Sequence, residues 1–240
     1  MATTFSKSSS VPPDVEIQIF DTTFQLHSTK LRLCSKFFDA GMSSLWWKDE
    51  KTHQGAIKYR YHLVPDTKDP MCSMVESVGP GQTVIDSIPD HHQDSYQRLT
   101  RAHSRLFGLF YLRPMFTGNS VQSTLSWMDD VHDVLILAGA YCALPTISST
   151  VYEAVITRLS EGNPDLINMK ELLLLRTIAI QIKSKLLFND VHIHIIGRHL
   201  ADEDTAKFDL GDLHKNECVR IRELQLKVER IVVLKLLEPE

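Results

Sequence analysis

A chain of 240 residues, 43% hydrophobic and 23% charged, carries enough apolar material to bury a sizeable core, as one large domain or one domain with an appendage. Its formal net charge of -4 leaves no excess of Lys and Arg to attract phosphate backbones or anionic lipid, so neither nucleic acid nor a membrane is an expected partner. The four cysteines, Cys34, Cys72, Cys142 and Cys218, are scattered with no C-x-x-C pair and no Cys/His ladder, which argues against zinc and for free thiols in the cytoplasm and/or nucleus.

Residues 1–13 are rich in Ser, Thr and Pro and read as a disordered N-terminus lacking the apolar core of a signal sequence. From 14 to 20, Val15, Ile17 and Ile19 share one face, as a half-buried strand requires. Asp21, Thr22 and Thr23 supply turn chemistry, and 24–27 resumes extended character, so the two pieces form a hairpin. The period then changes. Leu31, Leu33 and Cys34, followed by Phe37 and Phe38, fit two short helices, with Ser35 capping the second and Gly41 ending it.

In residues 57–64, Ile57, Tyr59, Tyr61 and Leu63 alternate with Lys58, Arg60 and His62, predicting a strand that joins the hairpin. Residues 65–94 are broken by prolines, glycines and acids and are longer than an ordinary connection. They read as an insertion with one short strand near 72–78. Tyr96, Leu99, Leu106, Phe107, Phe110 and Tyr111 then recur at helical spacing until Pro114. Trp127, Val131, Val134, Leu135, Ala138 and Tyr141 mark a second helix ending before Pro145. Ser148 and Ser149 are placed to cap a third, which bears Val151, Ala154, Val155 and Leu159 and stops near Gly162 and Pro164. Two further helices are expected over 165–199. A long terminal helix is expected over 213–237, where Ile221, Leu224, Val228 and Ile231 follow a 3-4-3 spacing. The most apolar stretch, 172–182, is interrupted by Arg176 and too short to span a bilayer.

Candidate chemistry is thin. Asp129, His132 and Asp133 have the i, i+3, i+4 spacing that could present three metal ligands on one helix face, which would make a small metal-dependent enzyme the alternative reading. The plainer reading is a solvated first turn with acids near the positive end of the helix dipole. His27, at the end of the hairpin, reads as a satisfied structural group rather than an acid or base. His91 and His92 fall in the insertion, His192 and His194 read as surface or boundary residues, and Cys142 as a small buried hydrophobe. No phosphate loop, G-x-S-x-G elbow or H-E-x-x-H occurs, so no catalytic residue, no cofactor and no metal site is expected.

The spacing Phe24-x-x-His27-x-x-x-Leu31-x-x-x-Ser35-x-x-Phe38, after a strand opening at Asp14, resembles the signature of the BTB/POZ domain. Residues 135–156 (LILAGAYCALPTISSTVYEAVI) and 183–200 (KSKLLFNDVHIHIIGRHL) are similar to the helix pair and the helical tail of fungal stand-alone BTB proteins. The resemblance implies an α+β fold: a small, mostly antiparallel sheet covered by helices over 14–160, with the 65–94 segment inserted and a helical extension over 161–240. It implies a non-catalytic protein-interaction module that forms homodimers or BTB heterodimers, with recruitment of cullin-3 ubiquitin ligases as a further expectation. One departure stands out. Many transcription-factor BTB domains place a basic residue directly after the motif histidine, facing the strand aspartate; here that position is Ser28.

Overall fold

A computed structural model describes residues 2–4, 11–43, 57–64, 73–77, 93–115, 124–161 and 167–201. Among them five strands form one sheet in the order β1-β3-β2-β4-β5. The central strand is β2 (Val15–Ile19), whose alternation buries Val15, Ile17 and Ile19 completely. β3 (Thr22–Leu26) pairs with it antiparallel, Ile19 opposite Thr22, so the turn is only Phe20 and Asp21. Phe20 adopts φ 52, the left-handed conformation that a two-residue hairpin turn demands. Thr22 and Thr23 therefore belong to the strand rather than to the expected turn.

The sheet is mixed, not mostly antiparallel. β4 (Tyr59–Val64) runs parallel to β2, and β1 (Ala2–Thr4) parallel to β3, while β5 (Met74–Ser77) is antiparallel to β4. A parallel neighbour requires a crossover, and α1 (Ser28–Cys34) with α2 (Lys36–Gly41) provides it between β3 and β4. The Asp14 carbonyl accepts from the amides of Lys58 and Tyr59, which fixes where β4 enters, two residues later than expected. β1 departs from the disorder expected for 1–13. β5 falls inside the expected 72–78 strand; of the remaining 65–94 segment, all but Ser73, Gln93 and Asp94 lies outside the described residues, His91 and His92 included.

Helices α3 (Gln93–Phe110), α4 (Thr124–Ala140), α5 (Leu144–Glu161), α6 (Met169–Gln181) and α7 (Lys185–Ala201) complete seven helices among the described residues. α3, α4 and α6 end without waiting for a proline. Each is followed by a left-handed residue, Leu112 (φ 55), Cys142 (φ 51) and Lys183 (φ 56), and the next amide bonds back to the last turn: Arg113 to Gly108, Ala143 to Ala138, Ser184 to Ala179. α4 ends before Pro145 as expected, and the proline itself sits in the first turn of α5, where a missing N–H costs no helical bond. Ser148 consequently lies inside that helix, its hydroxyl donating to the Leu144 carbonyl at 2.6 Å rather than capping. α6 opens on a capping box in which Asn168 accepts from the Glu171 amide and Glu171 from the Asn168 amide. The predicted helix over 213–237 and Cys218 lie outside the described residues.

One continuous apolar core runs from β2 and β3 through Phe38 of α2, Leu106 and Phe107 of α3, Trp127 and Val134 of α4, Val151 of α5 and Leu175 of α6 to Val191 of α7. No helix among the described residues is long and apolar enough to cross a membrane.

Candidate interaction surface

The six signature residues converge at the junction of hairpin, crossover helices and α3. Phe24, Leu31 and Phe38 are fully buried. Phe24 meets Phe107 edge-on, with ring centroids 5.3 Å apart, and Phe38 stacks on Tyr141 at 5.3 Å while meeting Tyr61 edge-on. Such pairs add about 0.5–1.5 kcal/mol beyond area burial. Ser35 caps α2 as expected, accepting from the Phe38 amide at 3.3 Å, and its hydroxyl donates to the Tyr141 carbonyl at 2.6 Å. One residue thus closes α1 through its backbone amide, starts α2 through its side chain and ties both to the close of α4.

Asp14 works on the first helix. Its carboxylate accepts from the Ser28 amide at 2.7 Å and from the Ser28 hydroxyl at 2.6 Å. His27, the residue in the N-cap position of α1, makes no side-chain cap bond, so the strand aspartate serves in its place. Ser28 is therefore the polar partner of Asp14, in the position where the family resemblance would have a basic residue.

His27 is nearly buried and bonded on both ring nitrogens, to the Val11 carbonyl from Nε2 at 3.0 Å and to the Tyr111 hydroxyl from Nδ1 at 2.9 Å. A carbonyl can only accept, so Nε2 carries a hydrogen, and in the neutral ring Nδ1 accepts from Tyr111. The Tyr111 oxygen accepts in turn from the His27 amide at 2.8 Å. Burial, with the Asp14 carboxylate adding to it, pushes the Tyr111 hydroxyl up to about 12, which keeps its proton in place for this bond.

The same wiring recurs in the interior. The Val75 amide donates to the Tyr141 hydroxyl at 3.2 Å, Tyr141 lies 2.9 Å from His103 Nε2, and His103 Nδ1 lies 2.9 Å from the Leu99 carbonyl. Leu99 can only accept, so the hydrogen sits on Nδ1 and Tyr141 donates to Nε2. Burial lowers the His103 pKa to about 4, so the ring is neutral at pH 7, and burial also pushes the Tyr141 hydroxyl well up. The sequence reading placed Tyr111 and Tyr141 only as apolar helix positions and did not single out His103.

Asp133 is not a solvated acid, and the Asp129, His132, Asp133 spacing does not make a ligand set. Asp133 is almost completely buried and held in a two-point contact by Arg98, through Nε and through a 2.7 Å bond from the terminal nitrogen. Asp130, buried likewise, takes Arg101 Nε at 2.9 Å and Arg105. The hydrogen bond to Asp133 raises the Arg98 pKa further. Among the described residues no three His, Cys, Asp or Glu side chains converge as metal ligands. The legible signal was Arg98, Arg101 and Arg105 at i, i+3, i+7 facing Asp130 and Asp133 at i, i+3, which key α3 to α4.

Cys142 is exposed rather than buried, because the left-handed turn after α4 carries it outward. Cys34 is buried, and burial raises its thiol pKa, away from a reactive thiolate. His194 is exposed, and His192 packs its ring on Phe188 at 4.2 Å. Arg176 is buried with its guanidinium 5.7 Å from the Phe188 ring centre.

Large apolar side chains reach solvent beside the signature. Leu33 projects from α1 at 77% exposure, and Leu112, directly after Tyr111, is 82% exposed. Val11, whose carbonyl His27 binds, is exposed as well. The His27 bonds thus tie the segments that carry Val11 and Leu112 to the residue that opens α1, the helix from which Leu33 projects. Such an arrangement can bind an apolar surface. No family model, no curated protein and no solved structure matches this chain.

Proposed function

We propose that this chain is a non-catalytic protein-interaction module of the BTB/POZ type that self-associates through the surface carrying Leu33, Leu112 and Val11. The observation that carries the reading is the joint placement of the six signature residues. Phe24, Leu31 and Phe38 fill the core, Ser35 caps α2, Asp14 caps α1, and His27 is locked by Tyr111, so each motif position has a distinct packing or bonding duty. With these positions so held and Leu33 exposed on α1, the reading is that this side of the protein meets a second copy or another BTB chain. Recruitment of a cullin-3 ubiquitin ligase is the downstream step proposed for such a dimer.

Light scattering and sedimentation on the full chain test the first claim. A dimer is expected, with Leu33→Asp driving it to monomer without unfolding; a strict monomer of the unsubstituted chain at high concentration removes the self-association claim. Purified cullin-3 should be retained by the immobilised protein. Its failure to bind would leave a scaffold without a ligase role.

A further inference from the structure

Leu33 has charged company on the surface. Lys30, one turn before it on α1, Arg32 beside it and Lys36, which opens α2, are all exposed. Arg32 is neutralised by Asp39, whose carboxylate lies 2.9 Å from its Nε. Those four are the charged residues of α1 and α2, so the two helices carry an excess of two positive charges in a chain whose net charge is -4. Lys30 and Lys36 are the cations left over, and neither is in an ion pair among the described residues. Their placement also runs against local preference. Lys30 lies in the first turn of α1, which holds no acid, and Lys36 is the first residue of α2. The helix dipole disfavours a cation at both positions. Exposed residues that break a local rule are the ones expected to serve a site.

We infer that α1 takes a heterologous protein chain that presents an apolar residue flanked by Asp or Glu, in preference to a second copy. The inference rests on the reading that Leu33 marks the docking surface, and it chooses between the two partners which that reading allows. In a two-fold contact centred on α1 each patch meets itself, so the apolar contact is good while lysine faces lysine. An acidic counterpart keeps the apolar contact and turns each repulsion into an opposite-charge pair. The homodimer is then the weaker complex. It tightens as salt screens the repulsion, whereas the mixed complex loosens.

The double variant Lys30→Glu, Lys36→Glu supplies an acidic counterpart on the same fold. Both glutamates fall in first turns, where the dipole favours them, so its thermal midpoint should not drop. Native mass spectrometry and sedimentation of an equimolar mixture with the unsubstituted chain read the choice of partner. At about 0.05 M sodium chloride the mixed dimer should exceed its statistical share about fivefold, as expected of a few exposed charge pairs, and at about 0.5 M it should fall back toward that share. Over the same range the unsubstituted homodimer should tighten about threefold. A mixed dimer at its statistical share in low salt overturns the inference, and so does a homodimer that loosens as salt rises. If the unsubstituted chain is monomeric at every salt yet pairs with the variant, self-association falls and this inference stands. A mixture in which no mixed pair forms overturns it, whatever the unsubstituted chain does alone.

Discussion

Two tyrosine–histidine pairs in this protein are wired alike and placed differently. In each, a backbone amide donates to the tyrosine oxygen, the tyrosine hydroxyl serves one imidazole nitrogen, and the other imidazole nitrogen serves a backbone carbonyl. His103 and Tyr141 are fully enclosed and join β5, α3 and the end of α4. His27 and Tyr111 lie at the margin, with Tyr111 only half-buried, and join the segment before β2, the end of β3 and the end of α3. Identical bonding therefore does two jobs: inside, it satisfies polar groups that water cannot reach; at the margin, it holds an exposed apolar surface in shape. The price of breaking each should differ accordingly.

The largest expected effect is on the inner pair. Tyr141→Phe strands His103 Nε2 and the Val75 amide in the core and should cost roughly 4 kcal/mol, about 1–3 for each orphaned group. A denaturation midpoint unchanged by this substitution would refute the assigned network. Acid should act on the same pair. The folded His103 pKa of about 4 lies below the unfolded value of 6.5, so the unfolded chain takes up the proton first as pH falls. Stability is then fully present above about pH 6.5, declines down to about pH 4, and levels off below, for a loss of about 3 kcal/mol. Unfolding titrations at several pH values should show this slope, and His103→Gln should flatten it. Tyr111→Phe should cost about 1 kcal/mol, because water can replace the lost partner at the margin; a cost equal to that of Tyr141→Phe would erase the distinction. Smallest of all, Leu33→Asp should change stability by less than about 0.5 kcal/mol while abolishing self-association.

Much of this was readable in the residues, and the failures share a cause. Strand alternation at Val15, Ile17 and Ile19 and the capping serine at 35 depend on neighbours in sequence, and both stand in the structure. The mixed order of the sheet, the tyrosine–histidine pairs and the burial of Asp130 and Asp133 depend on partners far along the chain, which one helix or strand cannot reveal. Local signals also mislead where a competing device acts first. Left-handed turns at Leu112 and Cys142 end α3 and α4 before Pro114 and Pro145 are reached, and the second of these also turns Cys142 out to solvent. Among the surface features, Leu33 follows the helical period of its neighbours in sequence, yet its side chain points to solvent.

The parallel pairing of β2 with β4 has a consequence during synthesis. The hairpin of β2 and β3 can close as soon as residue 26 leaves the ribosome, yet β2 keeps one bare edge until residue 64 has followed. At about 5–20 residues per second that interval lasts on the order of a few seconds. Throughout it, a strand of Val15, Ile17 and Ile19 is a template for pairing with any nascent neighbour. Chains arrested near residue 55 should therefore be held by chaperones far more than chains arrested beyond residue 115, and equal capture at both lengths would show that the open edge is harmless.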